Sequence, residues 1–193
     1  MIGARSQVTE AAVWAALAEV PDPEIPLVSI VDLGIVRAVR VLPGAAVSGI
    51  AAPGDADERI TVELLPTFVG CPALDVLRAT ALQRVRELAP AAAVSVEFTF
   101  GEPWTTERIT NAGREGLRRS GFAPPTAGDA RGSAAGHPLA PAELPLVQLA
   151  PAVPCPHCGS RRTRLESPFG PALCRAVYHC SACRQPFEAF KAV

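Results

Sequence analysis

The chain has 193 residues, of which 49% are hydrophobic and 5% aromatic, and its formal net charge is −1. This length allows one or two domains with an ordinary core, and the near-neutral charge argues against a dedicated nucleic-acid binder. No apolar run approaches the roughly 18–20 residues that cross a bilayer, and the N-terminus lacks the pattern of a signal peptide. We therefore expect a cytoplasmic protein without a membrane segment.

The chain is predicted to begin with a helix followed by a β-rich segment. Thr9 is a candidate N-cap, Pro21 ends the helix, and one apolar face is formed by Val13, Leu17 and Val20. The run from Val28 to Val41 is rich in β-forming residues, with Gly34 as a bend or bulge.

Two alternating segments and two helices complete the first part of the chain. Apolar residues alternate over residues 60–64 and again over 94–100, which predicts two strands. Helical spacing predicts a helix between them that begins at Pro72, and a last helix from Thr105 or Thr106 to Arg119. The order α-β-β-α-β-α predicts a small α+β domain over residues 1–122.

The rest of the chain is predicted to be a linker and a small C-terminal module. Residues 123–153 are rich in proline and alanine, which favours an extended linker. The loop at residues 44–57 is a second segment of low predicted order. Residues 154–193 carry six basic and two acidic side chains, whereas residues 1–122 carry 11 and 15. This asymmetry fits docking between charged surfaces and equally fits arginines that solvate a tiny domain.

Four cysteines predict that the C-terminal module is a zinc ribbon. They form two Cys-x-x-Cys pairs with 21 residues between them, namely Cys155, Cys158, Cys180 and Cys183. This spacing is typical of a site with four thiolate ligands, and a segment of about 40 residues needs such a metal in order to fold. Two disulfides are the alternative, which a chain without an export signal disfavours.

Three neighbouring residues leave alternatives open. Cys174 is either a small buried residue or an alternative ligand, the second of which would matter if the site held an iron–sulfur cluster. His157 is predicted to face solvent, and His179 also lies beside a ligand. The ribbon is basic and contains aromatic residues, which raises the hypothesis that it binds nucleic acid. Most of these aromatic residues are needed for the ribbon's own core, however, so few remain to stack on bases.

Two motifs of the first domain are candidates for chemistry. Asp22-Pro-Glu24 follows the first helix, and Cys71 precedes the helix predicted at Pro72, where the helix dipole stabilises a thiolate. Cys71 is therefore a candidate nucleophile or transient ligand, with an unreactive buried cysteine as the alternative. The domain has no histidine to act as a base, so no catalytic residue is predicted.

Three segments carry a resemblance to a known family. These are Asp22-Pro-Glu24, the run from Val28 to Val36, and the loop from Thr67 through Gly70 and Cys71 to Pro72. They resemble the SufT-like domain of iron–sulfur assembly proteins. With the linker and the ribbon added, the chain is similar to the PaaD-type accessory subunits of phenylacetyl-CoA epoxidase systems in phenylacetate degradation.

The resemblance implies a helper of a ring-epoxidising monooxygenase and not the oxygenase itself. It implies a cluster or thiolate site formed by Cys71, Asp22, Glu24 and Thr67, with transient iron or iron–sulfur as cargo, in addition to the structural zinc that the ribbon cysteines predict. The implied partners are the oxygenase and reductase subunits. A purely structural docking subunit is the alternative function, and a nucleic-acid-binding ribbon is a third.

Overall fold

The structure is a computed structural model that describes residues 7–43, 58–68, 70–125, 152–172 and 174–191. The chain divides into two compact units, Met1–Trp104 and Thr105–Val193. The predicted loop at residues 44–57 and most of the predicted linker lie outside the described residues.

The first unit contains a three-stranded sheet and two helices. Its elements are α1 (Glu10–Leu17), β1 (Val36–Pro43), β2 (Glu58–Leu64), α2 (Leu74–Leu88) and β3 (Ala93–Phe98). The strand order is β1-β2-β3, with β1 antiparallel and β3 parallel to β2. A parallel pair needs a crossover connection, which α2 provides. The core contains fully buried residues from the helices, strands and loops, including Leu17, Ile30, Ile60, Leu64 and Val85.

The helix starts agree with the sequence at α1 and differ at α2. The Ala12 amide donates to Thr9 Oγ1 at 3.2 Å, so Thr9 caps α1 as predicted. The second helix begins at Leu74 and not at Pro72. Pro72 lies in a turn before the helix, in which the Leu74 amide donates to the Cys71 carbonyl. Proline is tolerated in such a turn as well as at a first helical position, because neither requires its missing N–H.

The β-rich segment is a strand only in its second half. Ser29 forms an isolated bridge with Pro21, residues 30–34 form turns, and β1 begins at Val36. Gly34 has φ +67°, a left-handed conformation that ends the turns and suits glycine. The indole N–H of Trp104 donates to the Leu33 carbonyl at 2.9 Å in a buried position. The predicted strand over residues 94–100 ends at Phe98, and Phe100 is exposed.

The second unit joins a short helix to a four-stranded sheet. Its elements are a 3-10 turn (Thr106–Arg108), α3 (Asn111–Arg119), β4 (Phe122–Ala123), β5 (Thr163–Ser167), β6 (Arg175–Cys180) and β7 (Pro186–Phe190). The strand order is β4-β7-β6-β5, in which only β4 is parallel to its neighbour. The last helix begins at Asn111, later than predicted. Its N-cap is Thr110, whose Oγ1 accepts a hydrogen bond from the Gly113 amide.

Ala123 belongs to this sheet, although the sequence suggested that it begins the linker. It pairs with Ala189 of β7 and is 1% exposed. The small core around it consists of Cys155, Cys180, Phe187 and Ala189. The domain boundaries at residues 122 and 153 stay predictions.

The fold class is confirmed as α+β, with the predicted order α-β-β-α-β-α followed by a ribbon. None of the described helices is long and apolar enough to span a membrane.

Candidate functional site

The two cysteine knuckles of the second unit have the same backbone geometry. In the first, the Gly159 amide donates to the Cys155 carbonyl at 2.9 Å and the Cys155 amide donates to the Ser160 carbonyl at 3.0 Å. In the second, the Arg184 amide donates to the Cys180 carbonyl at 2.8 Å, and the Cys180 amide donates to the Gln185 carbonyl at 3.0 Å. The residue after each second cysteine is left-handed, with φ +72° and +61°. Each knuckle thus turns both of its sulfurs toward one point.

The knuckles bring four sulfurs together. The Sγ atoms of Cys155, Cys158, Cys180 and Cys183 all lie within 4.8 Å of one another. The Cys155–Cys183 and Cys158–Cys180 sulfur distances are 3.7 and 3.6 Å. Four thiolates bound to one Zn²⁺ at about 2.3 Å are about 3.8 Å apart along each tetrahedral edge. Both sulfur–sulfur distances are close to this edge length, so the four sulfurs fit a tetrahedral metal ion.

The sulfurs also differ in acidity. The backbone amides of Cys183 and Ala182 donate to the Cys180 sulfur and lower its pKa to about 6, against the opposing effect of burial. The pKa of Cys183 is raised to about 12. The Gln185 amide acts to lower it, but burial and the neighbouring sulfurs outweigh that hydrogen bond. A group of sulfurs so close together does not readily ionise completely, and a divalent cation would bind all four as thiolates.

The remaining metal-binding candidates lie outside this group. Among the described residues, Cys174 is half-buried and is not one of the four clustered sulfurs. His157 is exposed beside the first knuckle, as predicted. His179 lies on β6, and its Nδ1 is buried without a hydrogen-bond partner among the described residues. The sequence did not predict His179 to be a metal ligand, and in the structure it is not part of the four-sulfur cluster.

Cys71 lies in the loop between β2 and α2 of the first unit. It is half-buried, and its amide donates to the Phe68 carbonyl at 3.2 Å. Thr67 is half-buried in the same loop. Because α2 begins three residues later, Cys71 does not occupy the helix N-terminus that the sequence suggested. Its place is a turn next to Gly70, which has φ +92°.

Asp22 and Glu24 lie in the loop between α1 and β1. The Asp22 carboxylate accepts from the amides of Glu24 and Ile25, both at 2.9 Å. These hydrogen bonds hold the proline-rich loop in shape, which is a structural use of the Asp22 side chain. Glu24 is exposed.

Three loops emerge at one end of the first sheet. Val36 at the start of β1 pairs with Leu64 at the end of β2, and Leu64 pairs with Phe98 at the end of β3. The Leu65 amide donates to the Ile35 carbonyl at 2.8 Å, which ties the first two loops together. The turn before β1 and the Cys71 loop therefore share this end of the sheet.

Sequence reasoning missed the left-handed Arg184 and the strand β4. Alignment of the two knuckles would have found Arg184, because it occupies the position of Gly159. A strand of two residues leaves no periodic pattern in a sequence, so β4 had no such signal.

Comparisons with known proteins match both units. A family model described as "Iron-sulfur cluster assembly protein" matches residues 10–98, and one described as "PaaD zinc beta ribbon domain" matches residues 140–191. Two solved structures are similar to the chain. "Domain of Unknown Function DUF59" from Bacillus anthracis has 23% identity, covers 56% of this chain and 90% of its own, and gives a TM-score of 0.46. A conserved hypothetical protein of Thermotoga maritima has 27% identity, covers 58% and 96%, and gives 0.45.

A curated relative spans nearly the whole chain. It comes from Escherichia coli (strain K12), and its name describes it as a putative subunit of 1,2-phenylacetyl-CoA epoxidase. The two sequences are 36% identical over 181 residues, which is 94% of this chain and 92% of the relative. The chain therefore belongs to the PaaD family of phenylacetyl-CoA epoxidase subunits, in which an iron–sulfur-assembly-type domain is joined to a zinc ribbon.

Proposed function

We propose that this protein is a non-catalytic accessory subunit that helps to assemble the iron–sulfur or di-iron centre of a partner in a phenylacetyl-CoA-epoxidising monooxygenase. The iron–sulfur-assembly family model over residues 10–98 and the name of the E. coli relative support this role. The proposed partners are the oxygenase and reductase subunits.

The observation that carries the proposal is the position of Cys71. This residue is half-buried in a turn at the end of the sheet where the loops before β1 and after β2 meet. A partly exposed cysteine can ligate an iron atom of the cargo and release it when the cargo moves to the partner. Asp22, Glu24 and Thr67 are proposed to line the same site.

The side chains of the first unit favour transport of an iron or iron–sulfur centre over catalysis. Residues 1–104 contain no histidine, so a Cys–His catalytic pair has no base within this unit. The Asp22 carboxylate accepts two backbone hydrogen bonds, which favours a role in shaping the loop over proton transfer.

The ribbon is proposed to hold structural zinc through its four clustered sulfurs. An iron–sulfur cluster in the same site is the alternative, and Cys174 would then be an alternative ligand. Metal and acid-labile sulfide analysis of protein purified without oxygen separates these cases. One zinc per chain supports the structural role, and iron with sulfide in place of that zinc supports the alternative.

Replacement of Cys71 by serine tests the function. The Cys71→Ser protein should fold like the wild type and fail to support assembly of an active partner, because serine is a poor iron ligand. The readouts are the iron and sulfide content and the turnover of the epoxidase from cells that carry each variant. Cys174→Ser is the matched comparison, because Cys174 is also a half-buried cysteine outside the four-sulfur cluster.

Two results decide against the proposal. If Cys71→Ser leaves the partner's metal content and turnover unchanged, Cys71 carries no cargo. If removal of the whole protein also leaves the partner's metal content unchanged but lowers turnover, the protein is a structural docking subunit.

A further inference from the structure

The second unit contains a cavity beside the first cysteine knuckle. Its volume is about 480 Å³, and α3, the two residues after β4 and the knuckle form its walls. Four prolines and two arginines line most of it, namely Pro124, Pro125, Pro154, Pro156, Arg114 and Arg118. This volume falls within the roughly 300–1,000 Å³ of known ligand pockets, and a lining that is mostly apolar with few polar groups is typical of them.

Arg114 gives the cavity a positive charge. Its guanidinium donates to the carbonyl of Pro125 and, at 2.7 Å, to the carbonyl of Thr106. These two acceptors fix the side chain but do not neutralise it. Within the part of the chain that the structure describes, no carboxylate forms an ion pair with Arg114, which is half-buried at the cavity wall.

Arg118 adds a second guanidinium that is already paired. Its Nε and one of its terminal nitrogens donate to the Glu115 carboxylate at 2.9 and 2.6 Å. This carboxylate lies on the same helix and does not line the cavity. The pair is exposed, so its net stabilisation is small and an incoming carboxylate can compete for Arg118.

We propose that this cavity is a docking site for a segment of a partner protein that inserts an apolar side chain between the prolines and places a carboxylate on Arg114 and Arg118. A protein segment as the occupant rests on the proposed role as a subunit, and its acidic character rests on the charge of the two guanidinium groups. Single-stranded nucleic acid fits less well, because it relies on aromatic stacking and no described residue lining the cavity is aromatic.

The first knuckle forms one wall, which links docking to the metal site. Cys155 and Gly159 both line the cavity, and Cys155 is one of the four clustered cysteines. We expect metal binding to the sulfurs to hold the knuckle in this shape, so loss of the metal should open this wall. Docking is therefore expected to require the metal-loaded ribbon.

The test uses the full-length, metal-loaded protein and a display library of random 12-residue peptides. Enriched peptides should carry Asp or Glu next to Phe, Trp or Leu. Arg118→Glu should weaken their binding at least tenfold by reversing a charge at the cavity. Glu115→Gln should strengthen it severalfold, because this change releases Arg118 from its carboxylate. Chelation of the metal should abolish it.

Matched variants separate a local effect from one of overall charge. Arg119→Glu makes the same charge change as Arg118→Glu and lies on the same helix. Glu107→Gln makes the same charge change as Glu115→Gln. Both Arg119 and Glu107 are exposed and do not line the cavity. Each should change affinity less than twofold. Cys71→Ser should bind the peptides like the wild type, so failure of docking is distinguishable from failure of cargo transfer.

Several outcomes would overturn the docking site. These are a library without enrichment, enriched peptides that bind Arg118→Glu like the wild type, or equal loss in Arg119→Glu. A 12-nucleotide single-stranded RNA that binds and is lost in Arg118→Glu would assign the cavity to nucleic acid. If chelation of the metal leaves the peptide affinity unchanged, the first knuckle is not part of the docking site.

Discussion

The two cysteine knuckles differ at the residue that follows the second cysteine of each pair. Gly159 adopts φ +72° without steric cost, whereas Arg184 adopts φ +61° with a side chain present. A non-glycine residue in this left-handed region costs about 1–2 kcal/mol. The second knuckle therefore stores strain that the first does not.

Exchange of the two residue types should change stability in opposite directions. Arg184→Gly is expected to stabilise the metal-loaded ribbon by about 1 kcal/mol, because it relieves the left-handed strain. Gly159→Ala should destabilise it by about as much through backbone strain, because no described residue other than the two chain neighbours has an atom within 4 Å of the added Cβ. Thermal unfolding of both metal-loaded variants measures the two shifts. A destabilised Arg184→Gly protein would contradict this explanation.

At the scale of the element, β4 is the part of the ribbon that the sequence does not reveal. Its Ala123 packs in the small core with Cys155, Cys180, Phe187 and Ala189. A core that depends on so few residues tolerates little disturbance. The short strand should therefore influence the metal site although none of its residues is a ligand.

A carboxylate at Ala123 tests that influence. Ala123→Asp should destabilise the ribbon by roughly 2–4 kcal/mol and weaken metal binding, because it buries an unpaired charge at a position that is 1% exposed. The measurement is competition for the metal against a chelator. Ala152→Asp is the control, because Ala152 is exposed and should tolerate the change. Equal metal affinity in the two variants would show that β4 is not part of the ribbon core.

At the scale of the whole molecule, the two units depend on different sources of stability. The first has a core of large aliphatic side chains, among them Leu17, Ile30 and Leu64. The second has a core that includes two of the clustered cysteines. Structural zinc contributes about 10–16 kcal/mol to the folding of comparable small modules at neutral pH.

Removal of the metal should therefore unfold one unit and spare the other. After chelation, the amides of β6 and β7 should lose protection from hydrogen exchange, while those of β2 and β3 keep it. Mass spectrometry of exchange at the peptide level resolves the two sets. Loss of protection in both sets together, or in neither, would contradict a separate metal-dependent unit.

The sequence predicted what local patterns determine and missed what depends on distant contacts. Alternation over residues 60–64 and the Thr9 cap are local, and both are present in the structure. Pro72 suits a turn as well as a helix start, so the pattern did not distinguish them. The four sulfurs were predictable as a group because their spacing is itself the signal. The cavity was not, because prolines far apart in the chain come together only in the folded unit.

The pairing of β4 with β7 has a consequence for limited proteolysis. Residues 105–125 and 152–191, which lie on either side of residues 126–151, belong to the same unit. A single cut between residues 126 and 151 would yield two fragments on a denaturing gel. In native buffer they should migrate as one species, because Phe122 and Ala123 of β4 remain paired with Glu188 and Ala189 of β7.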